Sequence, residues 1–100
     1  YAIDLAGDTG DPILAADGGT ITFAGFNGGC GYMVTINHGN GNETKYCHAS
    51  KLFVTTGSKV SVGQHIANIG STGNSTGPHL HFVLKRNGEA IDPTPYLRGK

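Results

Sequence analysis

The sequence predicts a small all-β domain whose strands are largely antiparallel and form a barrel or sandwich. Short apolar runs rich in β-branched and aromatic residues alternate with turn signals, which is typical of short strands. Nowhere do apolar residues recur at helical spacing over three turns. The 17 glycines among the 100 residues follow no repeating triplet and punctuate the apolar runs as turns. A chain of this length suffices for one compact domain, so residues 1–100 are expected to form a single unit.

Extended segments are predicted wherever an apolar run lies between two turn signals. The strongest hairpin signal spans residues 38–42, because Asn-Gly readily adopts the positive φ angles of tight hairpin turns. Residues 70–78 are almost entirely loop formers, and Pro93 and Pro95 close the domain. The predicted strands cover residues 12–16, 20–26, 32–37, 43–49, 59–62, 64–69, 79–86 and 90–91.

The charge balance argues against nucleic acid as a partner. Seven basic residues equal seven acidic ones, no basic stripe exists and tryptophan is absent. No run approaches the length of a membrane-spanning helix, and no basic-then-apolar signal segment is present. Because the chain begins at Tyr1 and not at Met, we expect it to be a piece cut from a longer precursor. We also expect it to be a monomer.

The histidines carry the most distinctive chemical pattern in the chain. His79 and His81 lie two apart in a predicted strand, so both imidazoles would point into one site while Leu80 and Phe82 face the core. Imidazole nitrogen is a favoured zinc ligand. Two surface histidines on a strand need not bind anything, so the pattern alone leaves both interpretations open.

Two further polar residues could belong to the same site. Asp4 is a carboxylate among apolar residues, where it needs a cation or hydrogen-bond donors. Taken alone it would be a capping or turn aspartate, but beside the histidine pair a metal-ligand role explains it better. His48 is predicted at the end of a returning strand, where a single histidine is usually only a polar surface residue. His38 and His65 are expected to have structural or surface roles.

A family resemblance links these residues. Residues 77–82, Gly-Pro-His-Leu-His-Phe, resemble the signature segment of the lysostaphin-type (LytM-like) zinc metalloendopeptidases that act on peptidoglycan. The similarity extends over essentially the whole chain and implies a small β fold of the duplicated-hybrid-motif type. The further matching segments are 4–6, 10–16, 31–39, 46–48, 62–64, 69–73, 75–77, 92–93 and 96–97.

The resemblance implies a zinc site and a reaction. Asp4 and His81 correspond to zinc ligands, and His48 and His79 correspond to catalytic residues that flank a metal-activated water. The family's third ligand, a histidine, would fall one residue before Tyr1, so we expect the chain to be truncated at that edge. One zinc ion with three protein ligands and an open fourth position would then serve hydrolysis of an amide bond.

The implied function is hydrolysis of peptide cross-links in bacterial peptidoglycan, outside the cytoplasm. A secreted, cell-wall, periplasmic or phage-borne enzyme fits this equally well. The alternative is a catalytically inactive, metal-free domain of the same fold that binds peptidoglycan or regulates a partner cell-wall hydrolase.

The two cysteines, Cys30 and Cys47, leave two further questions open. A hairpin turn centred near residues 38–39 would place them opposite each other and permit a disulfide. A turn centred on residues 40–41 would place Cys47 opposite Val34, too far from Cys30 without a bulge. Cys47 beside His48 also suggests a cysteine peptidase, although neighbouring strand residues point to opposite faces.

Overall fold

The computed structural model describes residues 3–72 and 79–91, and their side chains except those at positions 3–6, 79 and 91. Within these residues the chain forms nine β-strands and one short 3-10 turn at Gly28–Cys30. The strands are β1 (Ile3–Ala6), β2 (Pro12–Leu14), β3 (Gly19–Phe26), β4 (Tyr32–Gly39), β5 (Asn42–Leu52), β6 (Lys59–Val60), β7 (His65–Ile69), β8 (His79–Arg86) and β9 (Glu89–Ile91). The same residues contain no helix with the length and hydrophobicity needed to cross a bilayer.

The strands form one antiparallel sheet that curls into a half-barrel. Its main path runs in the order β1-β8-β5-β4-β3-β6, while β2 pairs with β7 and β9 pairs with β8. The predicted all-β antiparallel class is therefore confirmed. Strand β1 was indicated only by the family resemblance, and the strands predicted at 12–16 and 59–62 are shorter in the structure.

The long strand β5 holds the sheet together. It pairs with β4 along one side, and on the other side with β8 over its first half and β7 over its second half. Its side chains alternate between partly exposed and buried from Glu43 to Tyr46, whereas the four residues 46–49 are all buried. Thr44 and Tyr46 are almost completely buried.

The hairpin between β4 and β5 turns at Asn40 and Gly41, whose φ angles are 53° and 81°. Positive φ at both central residues is the geometry that Asn-Gly favours, so this turn is as predicted. The partner strand was expected to end at residue 49, but it continues to Leu52 because its second half pairs with β7. His48 therefore lies inside the strand and not at its end.

A disulfide joins Cys30 and Cys47, whose Cα atoms are 5.0 Å apart. The turn lies at residues 40–41, the case for which no bond was expected without a bulge, although Val34 pairs with Tyr46 and not with Cys47 as predicted for that case. Two irregularities bring the cysteines together: β5 carries an extra residue in this region, and Cys30 lies in the 3-10 turn instead of a continued strand. Both cysteines are consumed in this bond, so the cysteine-peptidase interpretation is wrong for the oxidised protein.

The hydrophobic core is a single cluster of packed side chains. Buried apolar side chains from seven strands and the segment after β2 meet there: Ile13, Ala15, Ile21, Val34, Ile36, Tyr46, Ala49, Val60, Ile66, Ala67, Ile69, Leu80, Phe82 and Leu84.

A network of hydrogen-bonded polar groups lies within this core. The Tyr46 hydroxyl accepts hydrogen bonds from the Ala16 N–H (3.0 Å) and the Thr44 hydroxyl (2.8 Å), and Thr44 also contacts His38 Nε2 (2.7 Å). His38 in turn donates from Nδ1 to the Gly18 carbonyl (2.7 Å), so its predicted structural role is confirmed.

Candidate active site

Three neighbouring strands bring the predicted site positions together. In the order β1-β8-β5, Asp4 pairs with His81 and His81 pairs with Cys47. His79 pairs with Ala6 two residues further along the same ladder. Directly paired positions in an antiparallel sheet are nearest neighbours across the strands. The side chains of Asp4 and His79 lie outside the described residues, so for these two the structure gives the backbone position alone.

A bulge in β5 brings His48 to the same site. The register shifts between Tyr32 and Val34, so that β5 carries one residue more than β4 opposite positions 47 and 48. His48 has a φ of 66°, in the left-handed region that non-glycine residues seldom adopt. The imidazole rings of His48 and His81 consequently lie edge to face, with centroids 5.9 Å apart. Cys47 is the residue directly paired with His81, so in a regular strand the next residue, His48, would point to the opposite face. The bulge removes this separation.

The position of the His48 proton follows from its hydrogen bond. His48 is 7% exposed, and its Nδ1 lies 2.7 Å from the carbonyl oxygen of Thr72. A carbonyl oxygen can only accept, so Nδ1 carries the hydrogen and the neutral ring has its lone pair on Nε2. His48 is thereby set up to accept a proton at Nε2.

Thr72 was not identified from the sequence as a site residue. It contributes a main-chain carbonyl to His48, and any residue type carries such a group. The only sequence signal that could have indicated it is the Gly-Ser-Thr-Gly segment at 70–73, which belongs to the family resemblance.

The strand carrying the histidine pair has the predicted alternation. Leu80 and Phe82 are 8% and 3% exposed and pack in the core, whereas His81 is only partly buried on the other face. The inward-facing roles of Leu80 and Phe82 are therefore as expected. Phe82 makes an edge-to-face contact with Tyr46 across the strands (5.3 Å between centroids), which holds β8 in register beside β5.

The side chains at positions 4 and 81 are of types that bind zinc. Imidazole nitrogen and carboxylate oxygen are both zinc ligands, and His81 and Asp4 supply one of each at directly paired positions. Among the side chains that the structure describes, no three His, Cys, Asp or Glu residues form a group able to hold a metal ion. The Asp4 carboxylate lies outside that set, so the pairing of positions 4 and 81 is the structural observation that favours zinc.

Other features of the surface lie apart from this constellation. His65 is exposed, contacts Asn68 through Nε2 (2.6 Å) and packs against Phe53, in keeping with the predicted surface role.

A cavity of about 110 Å³ in the described part of the chain opens near the start of β5, where Asn42 and Arg86 line it. Neither His48 nor His81 lines this cavity, so its position does not mark the histidine site.

Curated proteins with similar sequences include a lipoprotein and several peptidases. The chain is 45% identical over 96 residues to the lipoprotein NlpD/LppB homolog of Pseudomonas aeruginosa, covering 95% of this chain and 32% of that protein. It is 39% identical over 89 residues to the peptidoglycan DD-endopeptidase ShyA of Vibrio cholerae, covering 89% of this chain and 21% of that protein. The chain thus spans between a fifth and a third of the length of these relatives.

Solved structures give the same grouping. The antimicrobial peptidase lysostaphin from Staphylococcus simulans superposes with a TM-score of 0.92 at 38% identity, over 98% of this chain and 43% of that one. A zinc-containing peptidase from Vibrio cholerae superposes with a TM-score of 0.87 at 31% identity, over 97% of this chain and 29% of that one. The family model described as peptidase family M23 matches residues 1–93. The fold, the histidine constellation and these similarities agree, and the chain belongs to peptidase family M23.

Proposed function

We propose that this chain is the catalytic core of a zinc-dependent endopeptidase that hydrolyses peptide cross-links of bacterial peptidoglycan. The observation that carries the proposal is the meeting of His48 and His81 across β5 and β8, with position 4 directly beside position 81. Family membership supports peptide hydrolysis, and relatives named as peptidoglycan endopeptidases support the substrate.

In this proposal the metal is held at the paired positions of β1 and β8. Asp4 and His81 supply two ligands, and a histidine one residue before Tyr1 supplies the third. When bound, zinc supplies a Lewis acid that polarises the scissile carbonyl and lowers the pKa of a water molecule. A solved peptidase described as zinc-containing and similar over nearly the whole chain supports this choice of metal.

His48 acts as the proton acceptor. Its Nδ1–H donates a hydrogen bond to the Thr72 carbonyl, so Nε2 is the atom whose lone pair takes a proton from the attacking water. The imidazolium formed in this way can return the proton to the leaving amine. His79, whose backbone pairs with Ala6 on β1, contributes a second imidazole that stabilises the developing oxyanion.

An extracytoplasmic location accompanies this function. The Cys30–Cys47 disulfide supports it, because such bonds persist in oxidising compartments and are rare in the cytosol. Relatives described as a lipoprotein and as a peptidoglycan DD-endopeptidase support the same location. We further propose that residues 1–100 form one catalytic unit that works as a monomer within a longer protein.

Three alanine variants separate metal binding from proton transfer. In the protein carrying its native residues before Tyr1, His81→Ala is expected to lose both bound zinc and activity. His48→Ala is expected to keep zinc and to lose roughly 10²- to 10⁴-fold in kcat, because it removes the proton acceptor and not a ligand. His65→Ala, at the exposed first residue of β7, is the matched control and should keep both.

The readouts are zinc per protein by elemental analysis and the conversion of cross-linked muropeptide dimers into monomers. Full zinc content in His81→Ala would refute its ligand role, and wild-type turnover in His48→Ala would refute the proton-transfer role. A wild-type protein that binds sacculi without cleaving them would instead establish the metal-free binding domain.

A further inference from the structure

We propose that Thr72 is a positioning residue that fixes the orientation and the tautomer of His48; this inference rests on the proposed function. Thr72 is the second residue beyond the bridge that Gly70 forms after β7, and it lies beside both β4 and β5. Its carbonyl accepts the hydrogen bond from His48 Nδ1 at 2.7 Å. The question is what holds that carbonyl in place.

The Thr72 hydroxyl ties the residue to both strands of the central hairpin. Oγ1 donates to the carbonyl oxygen of Ala49 on β5 at 2.5 Å and accepts from the N–H of Tyr32 on β4 at 3.1 Å. A hydroxyl has one hydrogen to donate and lone pairs with which to accept, so both capacities are used. The carbonyl that receives His48 is thereby anchored through its own side chain.

Close packing against Gly31 supports the same conclusion independently. A Cβ atom at Gly31 would lie 2.5 Å from the carbonyl carbon of Thr72 and 2.6 Å from its oxygen. Gly31 also has a φ of 67° and a ψ of −142°, a conformation that essentially only glycine adopts. The chain therefore uses a glycine where the Thr72 carbonyl needs room.

His48 depends on this partner more than an ordinary strand residue would. With a φ of 66° at the bulge, the ring direction is not set by regular strand geometry. The hydrogen bond to Thr72 selects the tautomer with hydrogen on Nδ1, so that Nε2 is the proton acceptor. Outer partners of this kind orient a histidine, and their loss typically costs 10- to 100-fold in activity.

The test compares Thr72→Val with Thr72→Ser in the zinc-loaded protein. Valine keeps the branched shape but removes the hydroxyl, whereas serine keeps the hydroxyl. We expect Thr72→Val to lower kcat by about 10- to 100-fold with unchanged zinc content and little change in KM. Thr72→Ser should stay within about threefold of wild type, which is small beside that loss.

A second readout reports on His48 directly. Nitrogen-15 NMR of the imidazole rings, in mildly alkaline buffer where histidine is ordinarily neutral, distinguishes the two tautomers. His48 should be the Nδ1–H tautomer in wild type and Thr72→Ser, and a mixture in Thr72→Val. Thr56→Val is the matched control, because it removes the hydroxyl that accepts from the Ala24 N–H in another turn. It should leave the His48 signals and kcat unchanged.

Each outcome decides the question. A Thr72→Val protein with the wild-type tautomer would overturn the proposal, as would a Thr72→Ser protein that is as impaired as Thr72→Val. If the wild-type protein has no peptidase activity, the proposed function fails, while the NMR comparison still shows whether Thr72 positions His48.

Discussion

At the scale of single residues, the site depends on two backbone positions with positive φ. His48 reaches the site because a bulge turns it towards His81, and Gly31 leaves room for the carbonyl that orients His48. Neither the bulge at His48 nor the space needed at Gly31 can be inferred from the chemical type of the residue. His48 and His81 could be found from the sequence because imidazole is rare and reactive, whereas the part played by Thr72 and Gly31 arises from the path of the main chain.

Gly28 and Gly31, at the two ends of the 28–31 turn, offer a matched pair for testing this requirement. Both have positive φ, but a Cβ atom at Gly28 would meet nothing within 4 Å, whereas one at Gly31 would collide with Thr72. We expect Gly28→Ala to cost about 1 kcal/mol of unfolding free energy from backbone strain alone. Gly31→Ala should cost roughly 3 kcal/mol and should also lower activity, because it displaces the Thr72 carbonyl. Urea unfolding measures both, and equal losses in the two variants would refute the close approach.

At the scale of elements, local signals were predictable and long-range ones were not. The turn at Asn40 and Gly41 follows from the dipeptide itself, so it was predicted correctly. The bulge at 47–48 is a property of how β5 meets its neighbours, and a sequence with no structural context does not reveal it. This is why the disulfide stayed undecided: in the observed register it needs that bulge and the 3-10 turn at Gly28–Cys30.

The hydrogen-bond network around the Tyr46 hydroxyl on β5 gives a second prediction about this strand. Tyr46 is 1% exposed, and its hydroxyl accepts from the Ala16 N–H and from Thr44. Tyr46→Phe would leave a partly buried N–H without this acceptor, so we expect a loss of about 1–3 kcal/mol in unfolding free energy. Urea unfolding at neutral pH measures it. A phenylalanine variant as stable as wild type would show that the hydroxyl contributes nothing.

Burial also raises the pKa of the Tyr46 hydroxyl. Because the folded protein disfavours the phenolate, the unfolded chain loses its proton first, and the stability contribution of Tyr46 is fully present below about pH 10. It decreases as the pH rises from there through the raised pKa of the folded state. Unfolding free energies measured across this range should fall more steeply for wild type than for Tyr46→Phe. Parallel curves for the two proteins would contradict this role of the buried hydroxyl.

At the scale of the whole molecule, a chain of 100 residues has a modest core and gains from cross-links. The Cys30–Cys47 disulfide closes a loop with a sequence separation of 17 residues. A loop of that size corresponds to about 3 kcal/mol of stabilisation, a substantial share of the stability of a small domain.

The fold class could be predicted because strand and turn signals recur along the entire sequence.

The stabilisation by the disulfide can be measured against a variant that lacks it. Reduction with dithiothreitol should lower the unfolding free energy of wild type by about 3 kcal/mol. The double variant Cys30→Ala with Cys47→Ala should start from a lower value and should not respond to the reductant. A wild-type protein that is equally stable with and without reductant would show that the bond does not constrain the unfolded chain.

The central claim, that this M23 domain is a zinc-dependent peptidoglycan endopeptidase, is tested most directly by adding metal back. A protein extended by the histidine proposed to precede Tyr1 is stripped with a chelator, dialysed, and incubated with purified cross-linked muropeptide dimers before and after one equivalent of zinc is supplied. We expect the stripped protein to release no monomers and the zinc-restored protein to release them with a free amine at the cleaved peptide bond. Cleavage at the same rate without zinc, or no cleavage after full zinc loading, would contradict the claim.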